Sequence, residues 1–171
     1  MLWRRLPLTI RVALYYPLWV MLVCIGIPTG LWWLGRRLGL PEMLPPPYHL
    51  LGIPLVLAGT AAVFTCVAYF YRQGRGTAVP YDPPLKLVTG GPYAYCRNPM
   101  VAGQGVMLLG MGLLLRSWLI VVVLAAAAVG AHWYHRHIEE RHLVERFGAE
   151  YEQYRRQVPM WLPRRRPYRR Q

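Results

Sequence analysis

Apolar blocks divided by basic punctuation constrain this chain more than any other feature. The first block, VALYYPLWVMLVCIGIPTGLWWL at residues 12–34, has no charged side chain and is long enough to cross a bilayer. Hydrophobic residues make up 55% of the 171, yet the formal net charge is +13, with the arginines concentrated toward the C-terminus. A soluble domain of this length carries less apolar content and more evenly spread charge. Segregation of this kind is the pattern of a membrane protein and excludes an ordinary soluble domain.

The blocks resolve into spans. Arg4, Arg5 and Arg11 precede the first block, as they would in a signal peptide. No small-x-small cleavage site follows a short apolar core, and Trp32 with Trp33 reads as an interfacial anchor, so the segment is expected to remain as a helix. Pro28 should kink it or thin its last turn. The second span, 49–71, carries Gly52 and Gly59 for close helix approach and Tyr69-Phe70-Tyr71 for an interface. From Pro99 to about His135 the apolar run is too long for one crossing, and Arg116-Ser117 divides it. An arginine at mid-helix in lipid is unfavourable by roughly 2.5–3.5 kcal/mol, whereas at a hairpin turn it is nearly free.

The expected fold is therefore an all-α, polytopic integral membrane protein of about four transmembrane helices in a single membrane domain, 1–171. The third and fourth spans, 99–115 and 118–138, form a helical hairpin. Residues 72–98 form a motif-bearing loop, and 139–171 a helical extension with a basic tail. Lys/Arg placement puts both termini and the 72–98 loop, with Arg72, Arg75, Lys86 and Arg97, on the cytoplasmic side. The membrane would be the inner or plasma membrane in a bacterium and the endoplasmic reticulum in a eukaryote. Cys24 and Cys66 fall inside spans and Cys96 on the cytoplasmic side, none with an evident disulfide partner, so all three read first as packing residues.

All the unusual polarity gathers on that one side. The loop ends in GPYAYCRNPM, residues 91–100, which puts a Tyr cluster beside Arg97 at the lipid boundary. A plain surface connector needs neither. Asp82-Pro83-Pro84 breaks helix, and Gly90-Gly91-Pro92 makes a turn. The fourth span runs on into AHWYHRHIEERHLVERFGAEYEQYRRQ, where His132, His135, Glu139 and His142 share one helical face and Glu140, Leu143 and Phe147 a neighbouring one. Gly148 should end or interrupt this helix before Tyr151 and Tyr154.

Three readings compete for this extension. The simplest is a solvated helix whose Glu139, Glu140 and Glu145 pair at helical spacing with Arg136, Arg141 and Arg146. A metal site is suggested by Glu139-x-x-His142 with His135. Di-metal carboxylate bundles need that motif twice with further carboxylates, and Glu42 and Asp82 are the sole acids outside the extension. The third is a small-molecule pocket, in which paired carboxylates facing the Arg97 loop hold a cationic, polar cofactor. The tail RRRPYRR reads as a positive-inside stop and lipid contact whose loss should spare turnover.

Taken together, DPPLKLVTGGPYAYCRNPMVAGQG and IEERHLVERFGAEYEQYRRQVPMWLP resemble the isoprenylcysteine carboxyl methyltransferase family. They resemble, more loosely, the membrane phospholipid N-methyltransferases. The resemblance covers roughly residues 75–165 and rests on the order and separation of GPYxxxR[HN]P, EExxLxxxFGxxYxxY and VP. It implies S-adenosylmethionine as methyl donor, bound by the loop and the C-terminal helices. By motif, Leu85, Lys86, Leu87, Val88, Tyr93, Asn98, Pro99, Met100 and Val101 would line the cofactor site, and Glu139 would meet the cofactor with Glu140 beside it. His135 occupies the place of a substrate-contacting arginine, with Arg136 adjacent. Asn98 and Val101 depart from the usual RHPxY, which bears on the substrate more than on the cofactor.

The chemistry expected of such a protein is methyl transfer to a lipophilic or lipid acceptor that enters from the bilayer. Arg97 is suited to hold an acidic group and Glu139 to complement a sulfonium. A prenylcysteine carboxylate is already ionised and needs no base. A phospholipid amine must lose a proton, for which Glu140 or His135 is the candidate. A non-enzymatic membrane protein docking anionic lipid or a partner through its tail is the remaining alternative. Nucleic-acid binding is not expected of a basic run so short and close to the membrane.

Overall fold

The computed structural model describes residues 7–75 and 84–169. Arg4, Arg5, Asp82 and Pro83, used in the sequence reading, lie outside them. The fold is all-helical and polytopic, as expected. Helix α1 (Leu8–Trp19) passes through a π-helical stretch, Val20–Gly26, into α2 (Ile27–Arg37). Then follow α3 (Gly52–Tyr69), α4 (Pro99–Leu114), α5 (Trp118–Tyr134), α6 (Glu140–Phe147) and α7 (Ala149–Gln157). Among the described residues there is no β-strand, only an isolated bridge between Glu42 and Ser117.

Three continuous helical runs are long and apolar enough to cross a membrane: Thr9–Arg37, Tyr48–Gly74 and Trp118–Phe147. Helix α4 is apolar but has 16 residues, about 24 Å at 1.5 Å per residue, a little under the hydrocarbon thickness. The chain is an integral membrane protein of three long apolar helices and one shorter one. The disturbance expected at Pro28 takes a specific form. Pro28 has no N–H for the carbonyl of Cys24, and the turns just before it, Val20–Gly26, adopt π spacing. Leu18, Met21, Leu57, Val122 and Val129 are exposed, as side chains solvated by lipid should be.

The chain divides into two compact units. The first comprises Met1–Thr60 and Gln104–Ala127. Small residues let its helices touch. A Cβ on Gly110 would lie 2.7 Å from both the Gly52 carbonyl oxygen and the Val56 amide nitrogen, so only glycine permits this approach. The turn between α4 and α5 falls at Arg116-Ser117, where the sequence placed it. Arg116 adopts φ 53°, donates through Nε to the Leu44 carbonyl at 2.5 Å and pairs with Glu42 at 2.5 Å. Arg36 also reaches Glu42, at 3.2 Å, and the Arg37 guanidinium lies 5.0 Å over the ring of Trp33.

The second unit comprises Ala61–Gly103 and Ala128–Gln171. Its core is built on tyrosine: Tyr151, Tyr154 and Tyr168 pack with Ala94 and Val158, and a second cluster joins Tyr93 to Cys66 and Val88. Gly148, at φ 53° and ψ −131°, separates α6 from α7 in a conformation that glycine, lacking a Cβ, adopts readily. Beyond α7 the chain doubles back as a strap. The Arg97 and Asn98 amides donate to the Pro159 and Met160 carbonyls, at 2.9 and 3.2 Å. In return, the Arg164 and Tyr168 amides donate to the Tyr95 and Ala94 carbonyls, at 3.0 and 2.9 Å.

The C-terminal segment is therefore not a loose lipid-facing tail. Tyr168 is buried edge-on against Tyr154, with ring centroids 5.3 Å apart. Among the described arginines of this segment, Arg165, Arg166 and Arg169 keep the exposed character read from composition. The alternation of proline, aromatic and arginine hides a backbone pairing that no side-chain pattern advertises.

Candidate active site

Within the second unit, a largely apolar, partly open cavity of about 280 Å³ lies between the motif loop and the α5–α7 segment. The loop enters it through a short 3₁₀ turn, Gly91–Ala94, that buries Tyr93 against Phe70, with ring centroids 5.3 Å apart. Tyr154 donates its hydroxyl to the Tyr93 carbonyl at 2.7 Å, which fixes the loop to α7. Burial pushes the Tyr151 and Tyr154 phenols above their ordinary range, so both stay protonated and available as donors at neutral pH. For Tyr151 the adjacent Arg97 offsets part of that shift.

Of the residues named from the motifs, Leu87, Val88, Tyr93, Arg97, Asn98, Met100, Val101, His135 and Glu139 line this cavity. Leu85, Lys86 and Pro99 do not; Leu85 is 70% exposed. The cavity also takes Phe70, Pro84, Tyr134, His142, Leu143, Arg146, Phe147, Tyr151 and Tyr154. Tyr151 and Tyr154 were legible as a pair three residues apart. Phe70 was not, because it closes the second span and reads as an interfacial aromatic.

The helical extension changes pitch at the site itself. Residues His135–Glu139 form a π-helical turn between α5 and α6, a feature that often marks functional positions. Across it His135 Nδ1 bonds the Glu139 carboxylate. The two neighbouring glutamates then part company. Glu139 faces the apolar cavity, while Glu140 faces a second, open and polar basin of about 640 Å³.

Glu140 does not make the helical pair with its own element that the simplest reading expected. One of its oxygens is bonded by Arg97 Nη1 and the other lies 3.4 Å from Arg155 Nη1. Arg97 and Glu140 have side chains only 12% and 13% exposed, so removing either partner would strand a buried charge, an effect of about 3–5 kcal/mol. Arg97 also lies 3.4 Å from the Tyr151 hydroxyl, and its buried Nε has no hydrogen-bond partner. It is the residue shared by the cavity and the basin.

Cys96 is buried and turns its thiol toward the Met160 and Trp161 carbonyls, each at 3.2 Å. Burial raises its pKa, with the Asn98 amide and Arg97 offsetting part of the rise, so the thiol is a packing group and not an activated nucleophile. Trp161 of the strap donates to His132 Nδ1 at 2.9 Å and meets His135 edge-on at 5.6 Å. No cluster of three metal-ligating side chains occurs among the described residues.

The comparison with known families turns on these same helices. A family model described as phospholipid methyltransferase matches residues 47–150, more than half of the chain. The chain belongs to the phospholipid methyltransferase family. The similarity to isoprenylcysteine carboxyl methyltransferases, read above from the motif loop and the glutamate helix, is found among individual relatives as well. The protein-S-isoprenylcysteine O-methyltransferase of Schizosaccharomyces pombe is 40% identical over 79 residues, 45% of this chain and 33% of that protein. The cobalt-zinc-cadmium resistance protein CzcN of Cupriavidus metallidurans is 30% identical over 120 residues, 70% of this chain and 50% of that protein.

A solved structure of a eukaryotic intramembrane Ras methyltransferase, an isoprenylcysteine carboxyl methyltransferase, matches with a TM-score of 0.58 at 20% identity. That match covers 93% of this chain and 57% of the other, and establishes a shared fold. This family member thus spans a third to a little over half the length of the relatives it matches.

Proposed function

We propose that the chain is an S-adenosylmethionine-dependent membrane methyltransferase acting on a small lipophilic acceptor, most simply a carboxylate of the isoprenylcysteine type. One observation carries the reading: the motif loop and Glu139, far apart in sequence, line a single, largely apolar cavity with aromatic walls. The residues present fit the donor. Phe70, Tyr93 and Phe147 offer ring surface to a nucleoside, Glu139 offers a carboxylate to a cation, and Arg97 Nε is a buried donor still lacking an acceptor. The donor supplies an electrophilic methyl group on a sulfonium.

The protein's own part is alignment and exclusion of water. The apolar walls from Val88, Met100, Leu143 and Phe147 keep the dielectric low, and attack of a carboxylate on a sulfonium-borne methyl removes two opposite charges, a change favoured in such a medium. An ionised carboxylate needs no base. A second reading, transfer to a phospholipid amine, is favoured by the description of the matching family model and by the His135–Glu139 pair. There His135 would accept the amine proton with Glu139 stabilising the imidazolium. The engagement of both Glu140 oxygens by arginines supports His135 over Glu140 in that role.

The Lys/Arg distribution supports an arrangement with both termini and the cavity on the cytoplasmic side, of the inner membrane in a bacterium or the endoplasmic reticulum in a eukaryote. Methyl transfer from labelled S-adenosylmethionine to a prenylcysteine and to phosphatidylethanolamine, with purified protein in nanodiscs, tests the assignment. Labelling of the prenylcysteine alone is the expected result. Labelling of the phosphatidylethanolamine alone selects the second reading, and labelling of neither contradicts both.

A further inference from the structure

The open basin beside the cavity has no part in the assignment so far. Its lining carries both signs: Arg97, Arg136, Arg141 and Arg155 against Glu140, Glu145 and Glu152. Arg97 and Arg155 each engage Glu140 through Nη1. Arg136, Arg141 and Glu145 form no ion pair among the described residues, although Arg141 and Glu145 sit four apart on one helix, where a pair costs little to form. A surface that leaves cations and a carboxylate unpaired around one concavity is complementary to a ligand bearing both charges.

Two further observations tie the basin to the cavity. Arg97 lines both, is nearly buried, and holds an Nε donor without a partner. The consecutive Glu139 and Glu140 divide between them, one to each. A ligand with an aromatic, weakly polar end and a zwitterionic end would span Arg97 with each end in matching surroundings.

We propose that the basin is the subsite for the ammonium and carboxylate of the donor's amino-acid end, with the nucleoside in the apolar cavity. Arg141 and Arg97 take the carboxylate, and Glu145 takes the ammonium. The inference rests on the proposed use of S-adenosylmethionine, and it predicts a division of binding energy that this proposal alone does not. Charge-assisted hydrogen bonds are the stronger kind and are lost whole when the ligand lacks the group.

Isothermal titration with S-adenosylhomocysteine and with 5′-methylthioadenosine, which lacks the amino-acid end, separates the two claims. The homocysteine compound should bind at least about tenfold more tightly. Arg141→Ala and Glu145→Gln should each abolish most of that advantage while leaving 5′-methylthioadenosine affinity unchanged, which also reports that the variants are folded. Equal affinity of the two nucleosides, or equal weakening of both by the variants, overturns the subsite and leaves the donor reading standing. Binding of neither overturns the donor reading and the subsite with it. Glycerophosphoethanolamine binding that the same variants remove, with S-adenosylhomocysteine affinity unmoved, would reassign the basin to an acceptor headgroup and overturn the proposal.

Discussion

The two units of this protein solve different problems with different residues. The first is held by glycine-mediated helix contact and a small ion-pair knot, Arg36–Glu42–Arg116, at a loop. That knot closes a turn. The second invests its polarity inside: four buried tyrosines, a buried Arg97–Glu140 pair and a strap hydrogen-bonded to the motif loop. The contrast teaches where a membrane chain places polar atoms it must satisfy. Near lipid it removes side chains until backbones touch, and around the cavity Tyr154 and Glu140 take their partners from the distant motif loop.

The sharpest way to break the contrast is to cut the strap. Tyr168→Ala removes a buried ring from the second unit's core and should lower stability by about 3 kcal/mol. S-adenosylhomocysteine binding should fall with it, read by thermal unfolding and titration in the same detergent. Gly110→Leu probes the other unit. Forced against Gly52 and Val56, the new side chain should cost about 2 kcal/mol in stability, and the protein that remains folded should bind the nucleoside with nearly unchanged affinity. A comparable loss of affinity in both variants would erase the distinction between the units.

Smaller effects refine it. Tyr154→Phe leaves the Tyr93 carbonyl without its donor and should lower stability by about 1 kcal/mol, with a measurable rise in nucleoside Kd because the loop it pins lines the cavity. Glu42→Gln loosens an ion-pair knot whose glutamate is 44% exposed. Its effect should be at most about 1 kcal/mol and fade with added salt, as for other solvent-accessible pairs.

Length and charge were enough to read the helical architecture, the Arg116 turn and the Gly148 interruption, because each follows from local chemistry: apolar length, a charge lipid will not accept, a residue without Cβ. The cavity-lining positions from Leu87 to Val101 and Glu139 were reached through motif resemblance. What stayed hidden depends on distant segments. The simplest of the three readings paired Glu140 along its own helix, yet a buried arginine from the motif loop outcompetes exposed neighbours on α6. The π-turn at His135–Glu139 leaves no mark in composition. The strap looked like a basic tail because its decisive bonds are made by backbone amides and by a single tyrosine among arginines.

The central claim is that Glu139 and the motif loop together form a nucleoside-binding cavity. Titration of S-adenosylhomocysteine into wild-type protein and Glu139→Ala, both in nanodiscs and matched for thermal unfolding, tests it most directly. The account predicts saturable binding by the wild type and none by a variant that is still folded. Equal binding by the two proteins, or no binding by the wild type, would contradict it.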